Sequence, residues 1–409
     1  MRRIFYRKKI MARMSYSVLL SLVLLTLACE FSKAEDKPVE YDRTAVLAKL
    51  DEAAAKADDP EVKRALKKMR ECTERRNKLL TLSGLRTLPP EIGQLTNLTG
   101  LTLHDNQFTT FPPEIAKLTK LKHLDLGENQ LTTIPPEIGQ LTTLTQLSVN
   151  GNDLSTLPPE IGQLTNLTHL RLWDNQLTKL PPEIGQLTKL TNLSLWDNQL
   201  PTLPPEIAQL TNLTGLSLHD NQFTTLPPEI GKLTKLTHLG LGENQFTTLP
   251  PEIGQLENLT WLYLEGNQLT TLPPEIGQLT KLTGLSLHGV QFTTLPSEIG
   301  KLTKLVYLGL RENQLTKLPP EIGQLTNLMW LYLESNQLTK RPSEVGKLTK
   351  LTELQIERNP LTDEGLEHLK SLKSLKRLNL CETRITKTGV GFFKKALPNC
   401  EIKVPRQYP

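Results

Sequence analysis

Cysteine is nearly missing from this chain: four occur in 409 residues. A disulfide-stapled scaffold needs an even, dense set. The three that follow Cys29, namely Cys72, Cys381 and Cys400, are odd in number and show no metal-ligand spacing. Counted in the repeat described below, Cys381 follows one strand and Cys400 precedes the next, an offset that argues against a bridge. Aromatic residues are sparse at 5%, with four tryptophans, so where they stand is informative. No apolar run reaches the ~20 residues that cross a bilayer. No phosphate-binding glycine loop and no nucleophile–base set stands out, so neither catalysis nor a cofactor is expected. A basic excess is absent too, once one segment is set aside. The formal net charge is +5, but residues 1–34 hold Arg2, Arg3, Arg7, Lys8, Lys9, Arg13 and Lys33 against Glu30 alone, and removing that +6 leaves −1. A nucleic-acid partner is therefore not expected.

That basic segment runs into an apolar stretch from Val18 to Ala28, the arrangement of a secretory signal. Two processing sites compete. Ser32-Lys33-Ala34 before Glu35 carries small residues where a signal peptidase reads them. Leu25-Thr26-Leu27-Ala28-Cys29 resembles a bacterial lipobox, without Leu in its usual place. The expectation is an exported protein, secreted, periplasmic or in the cell envelope, either cut after Ala34 or lipidated at Cys29; an uncleaved anchor is the remaining alternative. Residues 35–78 read as two helices, with Val46, Leu47 and Leu50 on one face and Val62, Leu66 and Met69 on the other. Asp59-Pro60 stops the first and caps the second. Together they are expected to cover an open sheet edge.

From Leu79 a phrase of 23 residues recurs, one copy reading LTHLRLWDNQLTKLPPEIGQLTK from Leu167. A fixed period of this length means a solenoid whose units bury their apolar faces against each other. One Asn sets the register, at Asn106, Asn129, Asn152, Asn175, Asn198, Asn221, Asn244, Asn267, Asn313, Asn336 and Asn359; Val290 interrupts it, and Ser83 is taken to hold the place in the first copy. Stacked Asn side chains can serve buried backbone groups where the chain leaves the strand. In Pro-Pro-Glu-Ile-Gly the prolines stand where a helical turn needs no N–H, and Ala116 and Ala208 in place of Gly show that positive φ is not required there.

The pattern LxxLxLxxNxLTxLPPEIGxLTx resembles the leucine-rich-repeat family in its 23-residue form, which bacterial proteins and plant intracellular Ras-group proteins share. Residues 361–386 have a 24-residue spacing with Thr383 for Asn, and resemble the ribonuclease-inhibitor-like branch. The resemblance implies an α/β solenoid: a leucine-rich-repeat horseshoe with a parallel concave β-sheet, short helical or 3₁₀ convex turns and a helical N-terminal cap. The expected organisation is a signal peptide over 1–34, a cap over 35–78, 23-residue repeats over 79–360 and a divergent repeat with its cap over 361–409.

Outward residues of parallel strands fall at the third, fifth, seventh and eighth places of LxxLxLxxN. All four tryptophans sit there: Trp173, Trp196, Trp261 and Trp330. With them stand Tyr263, Tyr307, Tyr332, His219, His238, Glu265, Glu334 and Arg311, and these twelve form the candidate ligand-binding set. Between residues 100 and 358 these places hold twelve acids, with only Arg171, Arg311 and Arg358 opposing them. Phe108, Phe223, Phe246 and Phe292 take a different, inward place. Exposed aromatics among acids suit recognition, so a protein or peptide partner, cationic or polar, is expected. A glycan stacked on Trp is the alternative, and a spacer on a lipid anchor a third reading, with the membrane reached only through that anchor.

Two bland readings stand beside this one. Residues 215–283 and 284–352 are near-copies at an offset of 69, so Trp261 and Trp330 recur by duplication. Asp174, Asp197, Asp220 and Glu243 stack laterally and are weak candidates for a hard cation such as calcium, but a solvated acidic stripe in a turn explains them better. Val290, and Arg341 where Leu272 stands three copies earlier, mark the repeats expected to exchange amide protons fastest.

Overall fold

The computed structural model describes residues 42–339 and 343–404. The leader with its Ala34 and Cys29 sites, and Arg341, lie outside these residues. Among the described residues two helices come first, α1 (Arg43–Lys56) and α2 (Pro60–Glu74). Asp59 accepts from Glu61 N–H at 2.7 Å, and Pro60 opens α2 where no donor is needed. Val46 and Leu50 are buried, as are Leu66 and Met69. Arg70 ties the helices on their outer side through Asp51 at 2.7 Å, and Arg64 reaches Ser83 O at 3.2 Å.

Fifteen strands of three residues follow, from β1 (Leu79–Thr81) to β15 (Glu401–Lys403). They form one parallel sheet in strict sequence order. The ones that matter below are β5 (His169–Arg171), β6 (Asn192–Ser194), β7 (Gly215–Ser217), β8 (His238–Gly240) and β9 (Trp261–Tyr263), followed by β10 (Gly284–Ser286), β11 (Tyr307–Gly309), β12 (Trp330–Tyr332), β13 (Glu353–Gln355) and β14 (Arg377–Asn379). Neighbours pair without stagger, so Leu262, Leu285, Leu308 and Leu331 lie side by side. These central leucines are wholly buried, which sends the residues flanking them outward. One repeat buries Leu236, Leu239, Leu241, Phe246, Leu249, Ile253 and Leu256, and much of that cover comes from the repeats on either side. Phe223 and Phe246 stack inside at 6.1 Å, in the inward place the sequence assigns them.

The chain leaves each strand over the Asn ladder. Asn244 Nδ2 donates to Leu218 O (2.9 Å) and Leu241 O (3.0 Å), and its Oδ1 accepts from Phe223 N–H (3.1 Å). Asn106, at the first rung, makes the same three bonds, as does Asn359 at the last. At the gap, Val290 is fully buried and offers no acceptor to Leu269 N–H, the group an Asn would serve. The two carbonyls at the gap are nevertheless supplied, Leu264 O by Asn267 and Leu287 O by Asn313. The turn there changes as well: Gln291, the residue after Val290, is left-handed at φ 49.

The first copy departs from expectation. Leu79 pairs with Gly100, which puts Ser83 opposite His104 at the seventh place rather than in the ladder. The turn is two residues shorter than in later copies, and Leu85 N–H still reaches Asn106 Oδ1 at 2.7 Å.

On the far side each PPEIG forms a five-residue 3₁₀ turn such as Pro182–Gln186, with Ile184 buried. Its glycine is not in the left-handed region; a Cβ on Gly185 would lie 2.7 Å from Glu206 O, so close stacking explains the residue. Exposed Lys–Asn bonds link some of these turns, as Lys189 Nζ to Asn166 Oδ1 and Lys235 Nζ to Asn212 Oδ1, both at 2.7 Å. Near the end the turn lengthens to nine residues, Asp363–Ser371, and Thr383 gives its hydroxyl to Leu380 O at 2.7 Å. Helix α3 (Lys387–Ala396), capped by Thr386, precedes the closing strand. Cys72, Cys381 and Cys400 are free thiols.

Candidate functional site

Third- and fifth-place residues stand on the strands themselves, and the seventh and eighth lie just beyond. The eighth place is left-handed throughout: Asp174, Asp197, Asp220 and Glu243 have φ of 54, 56, 53 and 51°, while Gly151 and Gly266 occupy it at 64 and 66°. A left-handed residue costs about 1–2 kcal/mol unless it is Gly, and Asp bears it better than most. A turn therefore accounts for this acidic stripe. Among the described residues no three His, Cys, Asp or Glu side chains are grouped to hold a metal ion.

The aromatic residues gather in two patches. Trp173 and Trp196 stack across the ends of β5 and β6 at 4.5 Å and 5°. The second patch spans β7 to β12. Trp261 lies 5.5 Å from Tyr263 and 5.8 Å from Tyr307, Tyr307 lies 5.5 Å from Tyr332, and His219 tilts onto Tyr263 at 5.7 Å. His288 meets both Tyr307 and Tyr332 edge-on. Three glycines of neighbouring strands make this possible. A Cβ on Gly284 would fall 2.2 Å from the Trp261 ring, one on Gly240 2.1 Å from His219, and one on Gly309 2.3 Å from His288.

Backbone donors set the state of the two histidines. Gly242 N–H donates to His219 Nδ1 at 3.1 Å, and Arg311 N–H donates to His288 Nδ1 at 3.2 Å. Each Nδ1 is thus an acceptor and the proton sits on Nε2, which for His288 meets the Tyr307 hydroxyl at 2.9 Å. Burial pushes His219 down to about 4. Burial and then the Arg311 charge push His288 down to about 3. Both rings are neutral near pH 7. Burial also raises the hydroxyls, Tyr332 to about 12.

A charged row runs along the seventh place: Glu265, Arg311, Glu334 and Glu357. The Oε2 atoms of all three acids and Nε of Arg311 are buried without a hydrogen bond. Glu265 keeps 23% of its side chain at the surface. Burial pushes Glu334 up to about 7, with Glu357 and Glu312 adding to the rise and Arg311 pulling against it. Burial raises Glu265 as well. The face changes character at β13, where Glu353 pairs with Arg377 and accepts from Gln355 Nε2 at 2.9 Å.

Of the candidates, Trp261, Tyr263, Glu265, Tyr307, Arg311, Tyr332, Glu334 and His219 come together in the second patch, where packing of the neighbouring rings buries Tyr263 and Tyr307, against the expectation of exposed aromatics, and Trp173 with Trp196 form the first. His238 and Trp330 do not join the ring contacts. His238 turns its Nδ1 to Thr237 Oγ1 at 2.9 Å, and half-buried Trp330 has Glu353 as its next-strand neighbour where Trp261 has Gly284. The duplication therefore copied the residues but not their surroundings. His288, Gly240, Gly284 and Gly309 escape a search for chemistry-bearing side chains; their outward places beside aromatics are the signal that marks them. No helix among the described residues is long and apolar enough to cross a membrane.

Comparison with known proteins agrees with this geometry. A family model described as a leucine-rich repeat region matches residues 159–240, 228–306 and 297–390, and one described as a leucine rich repeat matches 96–154. No curated protein matches the chain. Among solved structures, a leucine-rich-repeat protein of Leptospira interrogans is 39% identical, with a TM-score of 0.71 over 90% of this chain and 100% of its own. The plant peptide hormone receptor RGFR1, solved in complex with RGF2, is 29% identical with a TM-score of 0.66; the match covers 80% of this chain and 58% of the receptor chain. An internalin of Listeria monocytogenes, 22% identical at a TM-score of 0.63 over 90% of this chain and 94% of its own, shares the fold. With a regular ladder, a parallel sheet and family models covering more than half its length, the chain belongs to the leucine-rich-repeat family.

Proposed function

We propose that the protein is an exported, non-catalytic scaffold that holds a protein or peptide partner on the outward face of its sheet, between β5 and β13. The observation that carries this is the gathering of the tryptophans, tyrosines and incompletely bonded carboxylates on one face, while the repeated leucines, isoleucines and asparagines make the core. Such rings give large contact area at low entropic cost. The similar plant peptide hormone receptor, solved in complex with RGF2, supports a peptide as partner. The basic and apolar leader supports export, by release after Ala34 or by lipidation at Cys29. The reading divides the chain into a leader (1–34), helical cap (35–78), 23-residue repeats (79–360) and a ribonuclease-inhibitor-like end (361–409).

The test is partner capture by the mature chain, compared with Trp261→Ala plus Trp330→Ala. Loss of the captured protein is expected, and full retention contradicts the reading. A second reading, glycan adhesion, draws on the Trp173–Trp196 stack, whose outer ring face suits a sugar; specific binding on a glycan array without protein capture would establish it instead. Mass spectrometry of the mature N-terminus separates Ala34 from Cys29.

A further inference from the structure

We propose that the nest spanning β9 to β12 takes one basic side chain, arginine or lysine, of an extended peptide segment. The cation lies against the Trp261 and Tyr307 rings and is neutralised by Glu265 and Glu334. This deepens the protein-partner reading above and rests on it.

Three observations converge on that occupant. Glu265 and Glu334 each keep one buried oxygen with no donor. An ionised carboxylate that has lost water without gaining a donor is unfavourable, and a cation beside it removes the penalty. The chain's own cation does so only in part: Arg311 stands between the two acids in the seventh-place row and favours the charged form of both, yet it makes no direct ion pair with either and leaves its Nε without an acceptor. Two carboxylates thus face one guanidinium.

The rings supply the second requirement. Trp261, Tyr263, Tyr307 and Tyr332 make a continuous path of contacts at 5.5–5.8 Å. Both Glu265 and Glu334 act electrostatically on the Tyr307 hydroxyl, so both acids lie near that ring. A guanidinium or ammonium within about 6 Å of such ring faces gains attraction that grows when water is excluded. Tyr307 tilts by 39° to Trp261 and by 47° to Tyr332, so these rings do not make the flat platform a sugar ring needs. Charge over the wider face agrees, since twelve acids oppose three arginines between residues 100 and 358. Neutral His219 and His288 add no positive charge to repel the ligand.

The assay is fluorescence anisotropy with the mature chain and a labelled octapeptide alternating arginine with glycine, beside the same peptide with citrulline for arginine. The arginine peptide should bind about tenfold or more tighter than the citrulline one. Glu265→Gln with Glu334→Gln should weaken it by about tenfold or more, while Asp174→Asn with Asp197→Asn stays within about twofold. The melting temperature of the Glu double variant should match or exceed that of the parent, which excludes unfolding as the cause. Equal weakening by both pairs means that charge is read diffusely along the face; that overturns the nest but leaves the concave scaffold standing. If neither peptide binds while partner capture still depends on Trp261 and Trp330, the occupant is not a basic side chain and this proposal alone fails. If capture ignores those tryptophans, the underlying reading fails with it.

Discussion

Two rows of polar side chains run across this sheet only two residues apart, and they are opposites. In the Asn ladder an amide such as Asn244 donates to Leu218 O and Leu241 O and accepts from Phe223 N–H, all of them backbone groups. In the seventh-place row, Glu265, Glu334 and Glu357 keep buried oxygens that nothing donates to. The ladder repeats because one solution serves each copy from Asn106 to Asn359, with Val290 the exception. The row varies because nothing in the core depends on it, and its incomplete bonding is the basis of the partner reading proposed above.

The contrast can be broken at either row. The largest effect belongs to the ladder. Asn244→Leu strands the buried Phe223 N–H, while Leu218 O and Leu241 O keep Asn221 and Asn267; a loss of about 1–3 kcal/mol is expected in urea unfolding. No measurable loss would mean that packing alone holds the turn. Gly284→Ala comes next, because its Cβ would enter the Trp261 ring; overpacking of about 1–3 kcal/mol is expected, along with a changed Trp emission spectrum. An unchanged spectrum would show that the ring does not need that glycine.

Val290→Asn restores an acceptor for Leu269 N–H. It should add about 0.5–1.5 kcal/mol and slow exchange of the Leu269 amide, and unchanged exchange would show that the gap is already healed. Glu334→Gln is the smallest and depends on pH. With its folded value raised to about 7 from 4.5, the charged acid destabilises the native state above pH 7, and this is relieved as pH falls from 7 towards 4.5. The variant should therefore melt higher than the parent at pH 8, with the gap closing by pH 5. A gap that does not change with pH contradicts the buried-acid account.

Fold was legible because periodicity and hydrogen-bond need point to one answer. Leu, Asn and Pro at constant spacing leave few other ways to bury the leucines and serve the turn, and Asp59-Pro60 marks its helix start by the same local logic. The face was legible only in outline. Places can be counted, but what a side chain does there depends on the strand beside it. Trp261 and Trp330 are sequence copies, yet one lies over Gly284 and the other beside Glu353. Whether His288 accepts or donates at Nδ1 is decided by Arg311 N–H, 23 residues away. Counting in 23s puts Ser83 in the ladder, but the first turn is two residues shorter and Leu85 lies opposite Asn106 instead.

The unstaggered register has a consequence for how such a molecule changes. Adjacent strands lie about 4.8 Å apart, so position along the face is a matter of counting repeats. Inserting or deleting a repeat slides everything beyond it by that increment and leaves the interior grammar untouched. The 69-residue copy is three such steps, about 14 Å. Distance between contact points can therefore be altered by recombination, while the chemistry at each point is altered by single substitutions, and neither kind of change has to wait for the other.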